Sequence, residues 1–140
     1  MNKQEATKLL ALIKIAYPTA YRDMGDVSTK ATVNMWQVSF PDVPYALMEN
    51  AFNHFRMVSK FPPTVAEIVE ELRKINHQAT ELALICKQLG DDARVRQYKS
   101  IMACTARFKD MDNFWANVQG GDLPLIGGET NGNLGLPGTE

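Results

Sequence analysis

Hydrophobic side chains recur at spacings of three and four residues through most of the chain, which is the periodicity of amphipathic helices. The pattern predicts helices near residues 3–16, 29–40, 43–59 and 64–89. Their apolar faces predict one core, drawn from Leu9, Leu10, Ile13, Val33, Trp36, Phe40, Met48, Phe52, Phe55, Ile68 and Leu72. The predicted fold class is therefore all-α, with a small N-terminal helical bundle and a long fourth helix.

The sharpest break in this pattern is the stretch over residues 60–68, between the third and fourth helices. Pro62 and Pro63 lack backbone N–H groups and disfavour a helical conformation in the residue before them, so the third helix has to end there. Thr64 and Glu67 have the spacing of a capping box, which favours the start of a new helix. The stretch predicts a sharp corner between two helices.

The fourth helix carries a seam of apolar residues along its whole length: Val65, Ile68, Leu72, Ile75, Ala79, Leu82, Cys86 and Leu89. Three small helices can cover only part of this seam. The remainder, which Leu84 and Ile85 widen, has three candidate partners: the later part of the chain, a second copy, or another protein. The sequence leaves the three open.

Beyond Gly90 the sign of the charge changes twice along the chain. A basic stretch without any acidic residue comes first, and its members are Arg94, Arg96, Lys99, Arg107 and Lys109. From Asp110 to Glu140 all the charged residues are acidic, and there is no Lys or Arg. A basic stretch of this kind either contacts nucleic-acid phosphates or forms a solvated helix face.

The C-terminal region has a second apolar cluster and then a change of composition. Apolar residues at helical spacing between residues 108 and 118 predict a further helical segment. Glycines are frequent after residue 119, which predicts a flexible tail. The predicted organisation is an N-terminal bundle domain over residues 1–75, a helical extension over 76–118 that is a candidate partner-binding region, and a tail over 119–140.

Composition and motifs exclude several classes of function. The 140 residues carry a net charge of −1, so the whole chain is not a bulk polyanion binder. Cys86 and Cys104 form no metal-binding pair, no phosphate-binding loop motif is present, and no catalytic constellation stands out. We therefore expect no enzymatic activity, no catalytic residue, no cofactor and no metal site. No run reaches the length of a membrane span, and two lone thiols fit a reducing cytoplasm.

The N-terminal half nevertheless resembles a known family, the small phage proteins that load and inhibit a replicative DNA helicase. The resemblance covers roughly residues 1–75. It is carried, in order, by Glu5-Ala6, Leu9-Leu10, Ala16-Tyr17-Pro18, Thr32-Val33-Asn34, Trp36, Asp42, Pro44-Tyr45 and Phe61-Pro62-Pro63-Thr64-Val65-Ala66-Glu67-Ile68.

This resemblance implies a function and a set of partners. Such a protein binds the ATP-bound form of the hexameric replicative helicase, inhibits its ATPase and unwinding activity, and loads it at the origin. An origin-binding initiator is the second partner that the resemblance implies, and the bacterial host cytoplasm is the implied location. Two alternatives remain open: a nucleic-acid-binding replication accessory that uses the basic stretch, and a self-associating helical module that uses the seam of the fourth helix.

The resemblance also gives the apolar cluster after residue 107 two interpretations. In the family, the C-terminal part is mobile and carries helicase contacts. The cluster is therefore a candidate helicase-binding segment, whose residues are Phe108, Met111, Phe114, Trp115 and Val118. The other interpretation is that the cluster folds back onto the free part of the fourth helix.

Overall fold

The computed structural model describes residues 1–109, and within this range all the regular secondary structure is helical. It contains five α-helices: α1 (Lys3–Ala16), α2 (Asp26–Ser39), α3 (Tyr45–Arg56), α4 (Val65–Gln88) and α5 (Asp92–Thr105). A short 3-10 helix, Ala106–Phe108, follows α5. The all-α fold class is confirmed. Residues 110–140, which include the predicted tail, lie outside the described range.

Local sequence signals account for where the first helices begin. At α1, the Asn2 side chain accepts from the Glu5 N–H and the Glu5 carboxylate accepts from the Asn2 N–H, which forms a capping box. The second helix begins three residues earlier than predicted, because Gly25 is extended at its N-cap and Asp26 places an acid in the first turn. The third helix is shorter than predicted at both ends.

All eleven predicted core residues are buried, so the predicted core is confirmed. Its centre is aromatic: the rings of Trp36 and Phe40 stack with centroids 5.8 Å apart. The structure adds five residues that the predicted core did not include: Met1, Ala6, Val43, Ala51 and Phe108.

The N-terminal amino group closes one end of this core. The Met1 ammonium donates to the backbone carbonyls of Phe40, Pro41 and Val43 at distances of 3.0–3.1 Å. These three carbonyls belong to the turn between α2 and α3, so the charged group holds that turn against the start of α1. Charge-assisted bonds of this kind are stronger than bonds between neutral groups.

Helix α5 packs back along the second half of α4 after a turn at Gly90, whose φ of +73° suits a residue without a Cβ. Small residues at the interface, Ala79, Ala83 and Cys86, are buried and let the helices approach closely. The Asn76 amide donates to the Thr105 hydroxyl (3.0 Å) and the Met102 carbonyl (3.2 Å).

These contacts identify part of what covers the fourth helix. The later part of the same chain occupies one side of it, through α5. The seam itself differs from the prediction, since Leu82 and Leu89 are exposed whereas Ala83 is buried. A straight helix has 3.6 residues per turn and rotates steadily away from a 3.5-residue repeat, so the buried face drifts off the predicted seam.

Helix α4 continues without a break through residue 75, where the predicted N-terminal domain ends. Residues 1–109 form one compact unit.

Trp36→Ala tests the central role of the stacked aromatic pair. Trp36 is only 3% exposed, and its truncation is expected to lower the free energy of unfolding by about 3–5 kcal/mol. Denaturant unfolding followed by circular dichroism measures this change. Met35→Ala, at an exposed neighbouring position, is the control and is expected to have little effect. Equal stability of the two variants would contradict the proposed core.

Candidate partner-binding surfaces

The corner between α3 and α4 is held in one conformation by hydrogen bonds on both sides. The Tyr17 hydroxyl, from the end of α1, donates to the Ser59 carbonyl at 2.9 Å. Partial burial raises the pKa of this hydroxyl above its ordinary value, so it stays protonated and able to donate. The Ser59 hydroxyl bonds to the carbonyl and the N–H of Phe61. Thr64 and Glu67 form the predicted capping box, so the predicted corner is present.

This rigid corner exposes three large apolar side chains. Met57, Val58 and Phe61 are 76%, 77% and 75% exposed, and we refer to them as the corner patch. The apolar spacing of α3 predicts that Val58 continues its buried face, but the helix ends at Arg56 and the side chain turns to solvent. Phe61, the residue before the two prolines, is likewise exposed.

A groove of about 410 Å³ adjoins the corner patch. It runs between the α1–α2 connection and the corner, and its walls include Tyr17, Pro18, Ala20, Lys60, Phe61 and Pro62. Arg56 and Lys60 flank the patch, and neither has an ion pair within residues 1–109. The Glu67 carboxylate is engaged in the capping box. Among the described residues, the corner is therefore an apolar surface with two cations that lack a partner carboxylate.

A second apolar surface lies near the turn of the α4–α5 hairpin. Its exposed residues, which we refer to as the hairpin patch, are Leu82, Leu84, Ile85 and Leu89. Leu82, Ile85 and Leu89 follow one another at intervals of three and four residues, so they share one side of α4. The small residues that pack against α5 occupy another side of the helix, which explains why these larger ones remain exposed.

The predicted basic stretch is divided between structural ion pairs and exposed cations. Arg94 pairs with Asp91 (3.4 Å) at the start of α5. Arg107 pairs with Asp42 (3.0 Å) and donates to the Ser39 carbonyl (2.8 Å), which ties the end of α5 to the α2–α3 turn. The remaining cations, Arg96, Lys99 and Lys109, are exposed and have no ion pair among the described residues.

The candidate helicase-binding segment falls mostly outside the described range, which contains only its first residue. Phe108 is 4% exposed and lies against Phe40, with ring centroids 6.1 Å apart. We therefore assign Phe108 to the core, because a buried ring is not free to contact another protein. Met111, Phe114, Trp115 and Val118 lie outside the described residues, and for them the docking hypothesis stays a prediction.

Several titratable groups on α3 and α4 form local structural contacts. His54 Nδ1 lies 2.7 Å from the buried carboxylate of Glu71, and Lys74 approaches the same carboxylate at 3.4 Å. Arg73 makes two hydrogen bonds to Glu70, and these bonds lower the pKa of the Glu70 carboxyl. The described residues contain no group of three side chains suited to hold a metal ion, and none of their helices is long and apolar enough to cross a membrane.

Sequence reasoning missed two structural contacts that shape these surfaces. The bond from Asn76 to Thr105 fixes the end of α5, and neither residue belongs to the predicted apolar seam. The Met1 ammonium contacts had no signal, because they join groups about forty residues apart in the chain.

Phe108→Ala tests the assignment of Phe108 to the core. The substitution is expected to lower the free energy of unfolding by about 3–5 kcal/mol, because it leaves a cavity beside Phe40. Lys109→Ala, at the exposed next position, is the control and is expected to leave stability unchanged. Thermal or denaturant unfolding of the full chain measures both. A Phe108→Ala variant as stable as the unmodified chain would return the residue to the docking hypothesis.

Comparison with known proteins identifies the N-terminal part of the chain. Residues 1–69 match the family model for the N-terminal domain of a phage helicase loader/inhibitor. The match confirms the resemblance seen in the sequence, and it covers α1, α2, α3 and the corner. Neither the curated proteins nor the solved structures contain a match.

Proposed function

We propose that this chain, whose residues 1–69 carry the N-terminal domain of the phage helicase loader/inhibitor family, is a phage DNA-replication accessory protein. It binds the hexameric replicative helicase in its ATP-bound form, holds down the ATPase and unwinding activity, and loads the ring at the origin. The family match is the observation that carries this proposal. The initiator at the origin is the second partner, and the host cytoplasm is the place of action.

The surfaces of residues 1–109 support a role in binding proteins. Two groups of large apolar side chains are exposed, the corner patch and the hairpin patch. Exposed apolar clusters are typical of protein–protein interaction sites. The most prominent surface features of residues 1–109 are these two exposed apolar groups. An enzyme would need a constellation of catalytic side chains, and none stands out among the described residues. We therefore propose an adaptor without catalytic activity, cofactor or metal.

The inhibition has a simple thermodynamic basis. An adaptor that binds the ATP-bound ring more tightly than the other nucleotide states stabilises that ring and slows its turnover. By reciprocity, ATP binding to the helicase raises the affinity for the adaptor by the same factor. Release of the helicase then requires a competing interaction, which the initiator or single-stranded DNA supplies.

The nucleotide preference of the complex provides the direct test. The purified chain is expected to hydrolyse no ATP and to lower the ATPase rate of its cognate helicase. It should bind the helicase at least about tenfold more tightly with a non-hydrolysable ATP analogue than without nucleotide, a difference of about 1.4 kcal/mol. Calorimetry and a steady-state ATPase assay measure the two effects. Equal affinity in both nucleotide states would remove the proposed source of inhibition.

Trp115→Ala tests the proposed helicase-binding segment. As an anchor in a groove of the helicase, Trp115 is expected to contribute about 2 kcal/mol or more to binding. Its replacement should weaken the complex and leave the thermal midpoint of the free chain almost unchanged. Phe108→Ala is the contrasting variant, because it should lower the midpoint. A lower midpoint in Trp115→Ala itself would place that side chain in the intrachain core.

A further inference from the structure

We infer that the corner patch and the adjoining groove form a second helicase contact, which receives an apolar side chain flanked by carboxylates on the helicase. The inference rests on the proposed function, since it takes the helicase as the partner. It adds a binding surface within the family-matched domain, separate from the segment after residue 110.

The first argument is the concentration of exposed apolar area. Three large apolar side chains occur within five consecutive positions, and each is about three-quarters exposed. Single exposed apolar residues are normal on protein surfaces, whereas a contiguous group marks an interaction site. Met57, Val58 and Phe61 lie close together in the sequence of the corner, and Phe61 also lines a concave surface that can accept a side chain from a partner.

The second argument is that the corner is ordered before any partner arrives. The Tyr17 hydroxyl holds Ser59, the Ser59 hydroxyl holds Phe61, and the Thr64–Glu67 capping box fixes the start of α4. Pro62 and Pro63 further restrict the backbone between Phe61 and the start of α4. Because the backbone on which the Phe61 ring stands is already fixed by these bonds, less conformational entropy is lost on binding and more of the contact energy contributes to affinity.

The third argument is charge, which defines the chemistry of the partner segment. Arg56 and Lys60 flank the apolar side chains and have no ion pair within residues 1–109. Lys60 also lines the groove. An Asp or Glu beside an apolar side chain would complement both cations while the apolar group fills the groove.

The same charges disfavour a second copy of the chain as the occupant. In a two-fold symmetric dimer a patch meets its own copy. Arg56 and Lys60 would then come near the same two cations. The carboxylates that line the pocket beside Val58, on Glu67, Glu70 and Glu71, already have partners within the chain. The helicase is the partner that the family of residues 1–69 implies, and the corner lies within those residues. The hairpin patch, over residues 82–89, lies outside the family-matched residues 1–69.

The experiment compares full-length variants for binding to the cognate helicase hexamer with a non-hydrolysable ATP analogue. Phe61→Ala is expected to weaken binding about 30-fold, which corresponds to the loss of a hot-spot residue. Lys60→Glu is expected to weaken binding and to reduce its dependence on salt, because it removes an attraction between opposite charges. Val27→Ala, at a position 83% exposed on α2, is the matched control and is expected to bind as the unmodified chain does.

The outcomes separate this inference from the proposed function. Failure of the unmodified chain to bind the helicase would overturn the proposed function. Binding by the unmodified chain together with full-strength binding by Phe61→Ala and Lys60→Glu would overturn only the corner contact. Weaker binding by Leu89→Ala, with Phe61→Ala unaffected, would also overturn it and assign the contact to the hairpin patch. The thermal midpoints of all variants should match that of the unmodified chain, which shows that the fold is intact. If Phe61→Ala is unstable, the binding of Lys60→Glu decides the outcome.

Discussion

The burial of Phe40 is the interaction on which the described fold depends. Its ring is fully buried between Trp36 and Phe108, while its carbonyl accepts a hydrogen bond from the Met1 ammonium. One residue thus joins the beginning of the chain, the end of α2 and the 3-10 helix that follows α5. Because Met1 and Phe108 are distant from Phe40 in sequence, both contacts are tertiary and depend on the packing of the helices between them.

The residue sizes on α4 decide which surfaces remain available to partners. Ala79, Ala83 and Cys86 form the interface with α5, and small residues allow two helices to approach closely. The larger apolar residues of the same helix therefore stay outside the interface, where they form the hairpin patch. A leucine in place of Ala83 would need more space than the interface provides, because overpacking forces side chains and backbone to shift.

Much of the fold followed from helical periodicity and from local stop and start signals. The core was predictable because residues such as Ile13, Trp36 and Phe52 repeat along the apolar faces of short amphipathic helices. The exposed corner was not predictable in the same way. Val58 continues the apolar spacing of α3, and only the end of the helix at Arg56 turns it toward solvent. The burial of Phe108 likewise depends on a tertiary contact with Phe40, which local sequence does not encode.

Helix α4 links the two apolar surfaces through one continuous element. The corner adjoins its first residue and the hairpin patch occupies its last two turns. With 24 residues and a rise of about 1.5 Å per residue, the helix is about 36 Å long. Because a continuous helix is stiff, a partner that contacts both ends has to present two sites at a nearly fixed separation. A flexible linker would tolerate many separations, whereas α4 selects one, so this helix limits which partners can contact both surfaces at the same time.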